Sequence, residues 1–238
     1  MVKQYKKGCG YSYTAGFFPT INLIDNKKEL VKEIYVSEEA LKTEGYKKLM
    51  TLVDKNKVIV SSKAVEKLGG KGNDHVIAVF DQYDQELDKS NDHVVLVNPM
   101  DMGNLGNIMR TMLAFGYKDL AIVLPAADRF NPKTVRASMG AMFSIRIQEF
   151  NTFDEYLKEF DRPYYPFILQ TNKTLGQTYS VEKKPLALVF GNESSGLPQS
   201  VWNDNGLKIE ESNEVDSLNL TTAVAVALYN FRYRITRD

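Results

Sequence analysis

From Val94 onward the chain keeps one rhythm: a short strand-like run, a turn residue, then a stretch with helical periodicity. Strands are expected over 94–97, 120–124, 144–148, 167–170 and 186–190. Helices are expected over about 105–115 (closed by Gly116), around 133–142, over 152–160 and from Leu220 to about Tyr233. Alternation at this spacing predicts an α/β fold, a parallel sheet covered by helices. The run Leu186-Ala187-Leu188-Val189-Phe190 is apolar at every position, as a strand buried on both faces must be. Gly191 and Gly196 bracket the polar loop that follows it. Loops at the carboxyl ends of such strands are where open α/β sheets bind ligands.

Residues 1–90 read as a smaller α/β unit. It has helix candidates at 26–34, at 38–53 (interrupted at Gly45) and from Ser62 to Leu68, and strands at 34–36, 58–60 and 76–80. Polar residues 81–92 make a linker, so the second domain is expected to span 93–238. Before Asp25 the chain carries Lys3, Lys6 and Lys7 among Tyr5, Tyr11, Tyr13, Phe17 and Phe18, with no acid. Such rings and lysines can stack on bases and neutralise phosphates, or the rings can pack on the domain. Both readings stand at this point.

Charge and rare residues narrow the chemistry. Lys+Arg and Asp+Glu balance at 30 each, so a nucleic acid must be met by a local patch. All eight arginines lie at or after position 110, while fifteen of the 22 lysines precede position 90, which separates diffuse charge from placed guanidinium groups. One cysteine, Cys9, and two histidines, His75 and His93, leave no Cys/His zinc set and few places for a Ser-His-Asp arrangement, so no metal is expected. No apolar stretch nears the roughly 18 residues of a membrane helix, and no apolar signal core follows Met1. The chain is expected to be cytoplasmic, with no membrane partner.

Three strand-end segments carry candidate site residues. In the first, Asn104 is placed to cap a helix, and Arg110 beside free helix N–H groups suits a phosphate. In the second, residues 130–143, Arg136 and Ser138 could line a groove. In the third, Ser217 has the makings of an N-cap, with Leu218 and Asn219 in the first turn. The helix that follows is apolar nearly all round, which calls for cover on two sides, the sheet on one and a second copy of the chain on the other. A dinucleotide site is set aside, because Gly103-Asn104-Leu105-Gly106 lacks the Gly-x-Gly-x-x-Gly spacing.

Taken in order, Asn104-x-Gly-x-Ile-x-Arg110-Thr, Val-Phe-Gly191-Asn-Glu193-x-x-Gly196-Leu and Ser217-Leu-Asn219-Leu-Thr-Thr-Ala resemble the three motifs of the SpoU (TrmH-type) RNA ribose 2'-O-methyltransferases. The match covers about residues 94–235, and residues 1–90 resemble the small RNA-binding domain often fused ahead of these enzymes. The resemblance implies a C-terminal trefoil knot, a rare exception to unknotted chains. It further implies a homodimer through the C-terminal helix and methyl transfer from S-adenosyl-L-methionine to a ribose 2'-hydroxyl of rRNA or tRNA. By motif position, Asn104, Arg110, Glu193, Ser217 and Asn219 would serve catalysis, and Gly191, Gly196, Ile209 and Leu218 would hold the cofactor. Lys6, Lys7, Arg136 and Ser138 would meet RNA. The family's usual Ile-Pro-Met is here Ile209-Glu210-Glu211, with Glu214 and Asp216 nearby. The alternative is an RNA-binding module that keeps the fold without turnover.

Overall fold

The computed structural model describes residues 3–69, 74–177, 180–181, 185–212, 214 and 217–237. Asp216 and residues 70–73 of the glycine-rich loop thus lie outside the described residues. The elements in chain order are β1 (Tyr11–Tyr13), α1 (Phe17–Lys27), β2 (Val31–Val36), α2 (Glu44–Leu52), β3 (Val58–Val60), α3 (Ser62–Gly69) and β4 (Val76–Asp81). Then come β5 (His93–Val97), α4 (Met102–Ala114), β6 (Asp119–Val123), α5 (Pro132–Ala137), β7 (Arg146–Phe150), α6 (Phe153–Glu159) and β8 (Tyr164–Pro166). The last are β9 (Ser180–Val181), β10 (Ala187–Phe190), α7 (Leu220–Tyr233) and β11 (Thr236–Arg237). They form two units, one of Met1–Tyr83 with Asp128–Ser144, the other of Asp84–Ala127 with Ile145–Asp238.

The first unit is built on a mixed sheet of order β1-β4-β2-β3, in which β4 runs antiparallel to both neighbours. Ala64, Val65 and Leu68 of α3 pack on Tyr13, Tyr35, Ile77 and Val79, and Tyr5 and Tyr11 join that cluster from its edge. Of the two readings of the N-terminal aromatics, packing on the domain therefore describes these tyrosines, whereas Phe18 remains 62% exposed. The helix expected over 26–34 lies earlier, at α1, and Val31, Ile34, Tyr35 and Val36 run as strand β2. Three of those four are β-branched and the fourth is aromatic, which suits a pleated surface better than a helix. The helix expected over 133–142 stops at Ala137. Met139 and Gly140 take left-handed conformations with φ of 48° and 85°. A Cβ on Gly140 would stand 2.8 Å from the Asn22 Cβ and 3.1 Å from the Pro19 Cα, so the approach to α1 demands glycine there.

The second unit carries a wholly parallel sheet of order β7-β6-β5-β10-β8. Alternate residues of β5 and β10, Val95, Val97, Ala187 and Val189, join Phe153, Tyr156 and Phe160 in a core on one face. Toward the other face Phe190 stacks on Phe167 with centroids 4.6 Å apart, and Phe167 meets Phe231 of α7. Helices thus cover both faces. Two strands of this sheet start more than one residue from the expected position: β7 two residues later, and β8 at Tyr164 instead of Phe167. Pro166 falls in β8, an edge strand, where a missing N–H is tolerated.

Residues 84–92 are fastened to this sheet at the amino ends of its strands. The fully buried Asp119 accepts from Arg146 Nε at 2.6 Å and Nη2 at 2.7 Å, from the Asp88 N–H at 2.8 Å and from Asn91 Nδ2 at 3.0 Å. His93, also fully buried, bridges the Asp88 carbonyl at 2.9 Å and the Tyr156 hydroxyl at 3.0 Å. A carbonyl can only accept, so Nε2 carries the proton and the tyrosine donates to Nδ1.

Candidate active site

Four segments of the second unit, together with Phe167 to Gln170 and Trp202, bound one cavity of about 680 Å³, the size of a small-molecule site. The first is the loop after β10. Asn192 and Gly196 exchange backbone hydrogen bonds at 3.2 and 3.0 Å, and Asn192 Oδ1 accepts the N–H groups of Ser194 and Ser195. This closes a tight turn over Gly191. A Cβ on Gly191 would fall inside the backbone of Gly196 and Leu197, while Gly196 itself sits at φ 67° with open space around it. The two glycines therefore answer different needs, close approach at the first and a left-handed backbone at the second.

The second segment, Leu207 to Ile209 with Glu211, is stitched to the stretch after β8. The Ile168 N–H donates to the Leu207 carbonyl at 2.9 Å, and the Leu175 N–H to the Lys208 carbonyl at 2.8 Å. Glu210 does not line the cavity. Its carboxylate accepts the Gly176 N–H at 3.0 Å, and hydrogen bonding from Thr174 and that N–H holds it below the usual carboxylate range. The third segment brings Ser217, Leu218 and Asn219 to the cavity at the start of α7. The N-cap is Asn219, whose Oδ1 accepts the Thr221 N–H at 2.9 Å, instead of Ser217.

The fourth segment is the start of α4. Asp101, not Asn104, caps it, accepting the Asn104 N–H at 2.7 Å. That frees the Asn104 amide to donate to Glu193 Oε1 at 3.2 Å. Glu193 Oε2 lies 3.4 Å from both the Met100 N–H and Asn192 Nδ2. A carboxylate fixed by three N–H donors, with no ion-pair partner among the described residues, is an acceptor presented at a cavity wall.

The structure thus brings together Asn104, Gly191, Glu193, Gly196, Ile209, Ser217, Leu218 and Asn219. It leaves Arg110 apart. Because α4 begins at Met102, Arg110 lies more than two turns from the helix N-terminus, roughly 12 Å along the axis. It is exposed and does not line the cavity. The residues expected to meet RNA belong to the first unit. Lys6 and Lys7 are exposed near its N-terminal turn, and Arg136 pairs with Asp74 and donates to the Gly69 carbonyl. Ser138 corrects the sequence reading: it is fully buried, its hydroxyl donates to the Val135 carbonyl at 2.7 Å, and it offers nothing to a groove.

Asn98, Asp101 and Asn192 are the shaping residues that sequence reasoning missed. Asn98 takes φ 53° at the end of β5, and its carbonyl accepts from Asn192 Nδ2 at 2.8 Å, which ties two strand ends together. Asn98 before Pro99 and Asp101 before the helix were available turn and cap signals. Among the described residues no group of three His, Cys, Asp or Glu is placed to hold a metal ion, and no helix is long and apolar enough to cross a membrane.

The family model described as the SpoU rRNA Methylase family matches residues 91–229. The chain is 26% identical over 219 residues to the 23S rRNA (guanosine(2553)-2'-O)-methyltransferase RlmP of Bacillus subtilis, covering 85% of this chain and 88% of that one. It is 28% identical over 142 residues to an uncharacterized tRNA/rRNA methyltransferase of Synechocystis, covering 58% of this chain and 52% of the relative's length. The SpoU methyltransferase AviRb of Streptomyces viridochromogenes, solved in complex with the cofactor AdoMet, has the same fold. Its TM-score is 0.80 at 22% identity, over 92% of this chain and 88% of that one.

Proposed function

The chain belongs to the SpoU rRNA methylase family, and from that premise we propose that it transfers a methyl group from S-adenosyl-L-methionine to a ribose 2'-hydroxyl of rRNA or tRNA. The observation that carries the reading is the single cavity bounded by residues of all three motifs, Asn104, Glu193 and Asn219 among them. Its residues fit the cofactor. The glycine cradle lets backbone N–H and carbonyl groups approach a ligand, and Phe190, Leu207, Ile209 and Leu218 supply apolar wall around it. Bound there, the cofactor supplies a methyl on a positively charged sulfur.

The chain's own task is to bring a hydroxyl in line with that methyl and hold it, which is worth roughly 7–11 kcal/mol of barrier. Glu193, kept in place by Asn104, is the fixed acceptor beside the cavity. Arg110 grips an RNA phosphate through its fork and orients the ribose, and the phosphate takes the hydroxyl proton, since a guanidinium does not give up its own. Arg110 is exposed outside its own chain's cavity, so a second copy completes the site in a homodimer through α7 and its neighbour α4. Tyr229 and Tyr233, 41% and 60% exposed on α7, suit that interface. The carboxyl-terminal part is threaded as a trefoil knot, residues 1–90 with their linker to about 92 bind the RNA, and the enzyme works in the cytoplasm, where such RNAs are.

The second reading, an RNA binder without turnover, draws on the acidic run at Glu210-Glu211. Glu210 is turned to Gly176, away from the cavity, which weakens it. Calorimetry separates the two. The enzyme reading expects S-adenosyl-L-methionine to bind the wild-type protein and Arg110→Ala alike, with methyl transfer lost only in the variant. Absence of any heat with wild type overturns it.

A further inference from the structure

We infer that Glu211 makes the cavity discriminate by charge between the sulfonium cofactor and its neutral thioether product; the inference rests on the cofactor reading above. Among the described residues three charged ones line the cavity: Glu193, Lys208 and Glu211. Two of them are carboxylates and one is an ammonium. Glu193 is bound by amide donors, which satisfy its oxygens without neutralising them. Among the described residues the wall thus carries a net negative charge, and Glu211 stands at a position where the family's pattern has no acid.

S-adenosyl-L-methionine carries one more positive charge than S-adenosyl-L-homocysteine, on the sulfur, and apart from the transferred methyl the two have the same polar groups. A wall of net negative charge favours the first by Coulomb attraction that bulk water would screen. Glu211 is thus a specificity-determining residue that favours cofactor over spent product.

The test measures dissociation constants by calorimetry for S-adenosyl-L-methionine, S-adenosyl-L-homocysteine and sinefungin, which carries an amine in place of the sulfonium methyl. Wild type, Glu211→Gln and Glu211→Asp are compared, with melting temperatures as the folding control. Glu211→Gln should weaken the two cationic ligands about tenfold and the thioether less than about twofold, and Glu211→Asp should keep the wild-type preference. Equal weakening of all three ligands, or no change in any, overturns the inference while leaving the cofactor reading intact. If wild type binds none of the three, the cofactor reading itself fails.

Discussion

At the scale of single residues, Gly191 and Gly196 make the sharpest contrast. Gly191→Ala puts a methyl inside the Gly196–Leu197 backbone, so the loop must open. Cofactor affinity should fall by more than about tenfold, the equivalent of about 1.4 kcal/mol. Gly196→Ala meets no atom and only strains a left-handed backbone, at a cost of about 1–2 kcal/mol in stability. Thermal melts with calorimetry check both; equal effects at the two positions would contradict the account. Both glycines were legible in the sequence because a strand ending at one glycine and a helix-bound loop ending at another are local facts. The role of Asn104 was not. Whether an asparagine caps its own helix or reaches Glu193, far along the chain, depends on Asp101 taking the cap, and two cap-capable residues three positions apart leave that choice to tertiary contacts.

At the scale of elements, the amino ends of β5 and β6 carry a buried polar cluster with a pH signature. Burial pushes the His93 imidazole down to about 4 from an ordinary 6.5. The unfolded chain takes up this proton below about pH 6.5 and the folded protein does not until about pH 4. The stability His93 supports is therefore whole above 6.5 and lost progressively between 6.5 and 4, by about 3 kcal/mol. Urea titrations across that range, wild type against His93→Gln, should show a pH-dependent component only the wild type has; parallel curves would contradict it. Strand β10 was legible in full because burial on both faces left an unbroken apolar run, whereas β8 and β7 slipped by two or three residues. Their ends are set by pairing partners, Tyr164 opposite Ala187 and Arg146 opposite Asp119, which no local pattern records. The break of α5 at Met139–Gly140 escaped for the same reason, since it answers the approach of Asn22.

At the scale of the whole molecule, the parallel sheet followed from the strand–helix rhythm, but the grouping of Asp128–Ser144 with the first unit did not. A segment between two strands of one sheet reads as part of that sheet until its contacts are known. The proposed dimer is the other large-scale claim. Tyr229→Asp with Tyr233→Asp should yield a monomer by sedimentation that still binds the cofactor and has lost methyl transfer; a monomer with full turnover would contradict a shared site. The most direct measurement maps ribose 2'-O-methyl groups in rRNA and tRNA from cells with and without the gene. The account predicts one or more sites that vanish on deletion and return with the wild-type chain but not with Glu193→Ala. An unchanged 2'-O-methyl map, or a change confined to base methylation, would contradict it.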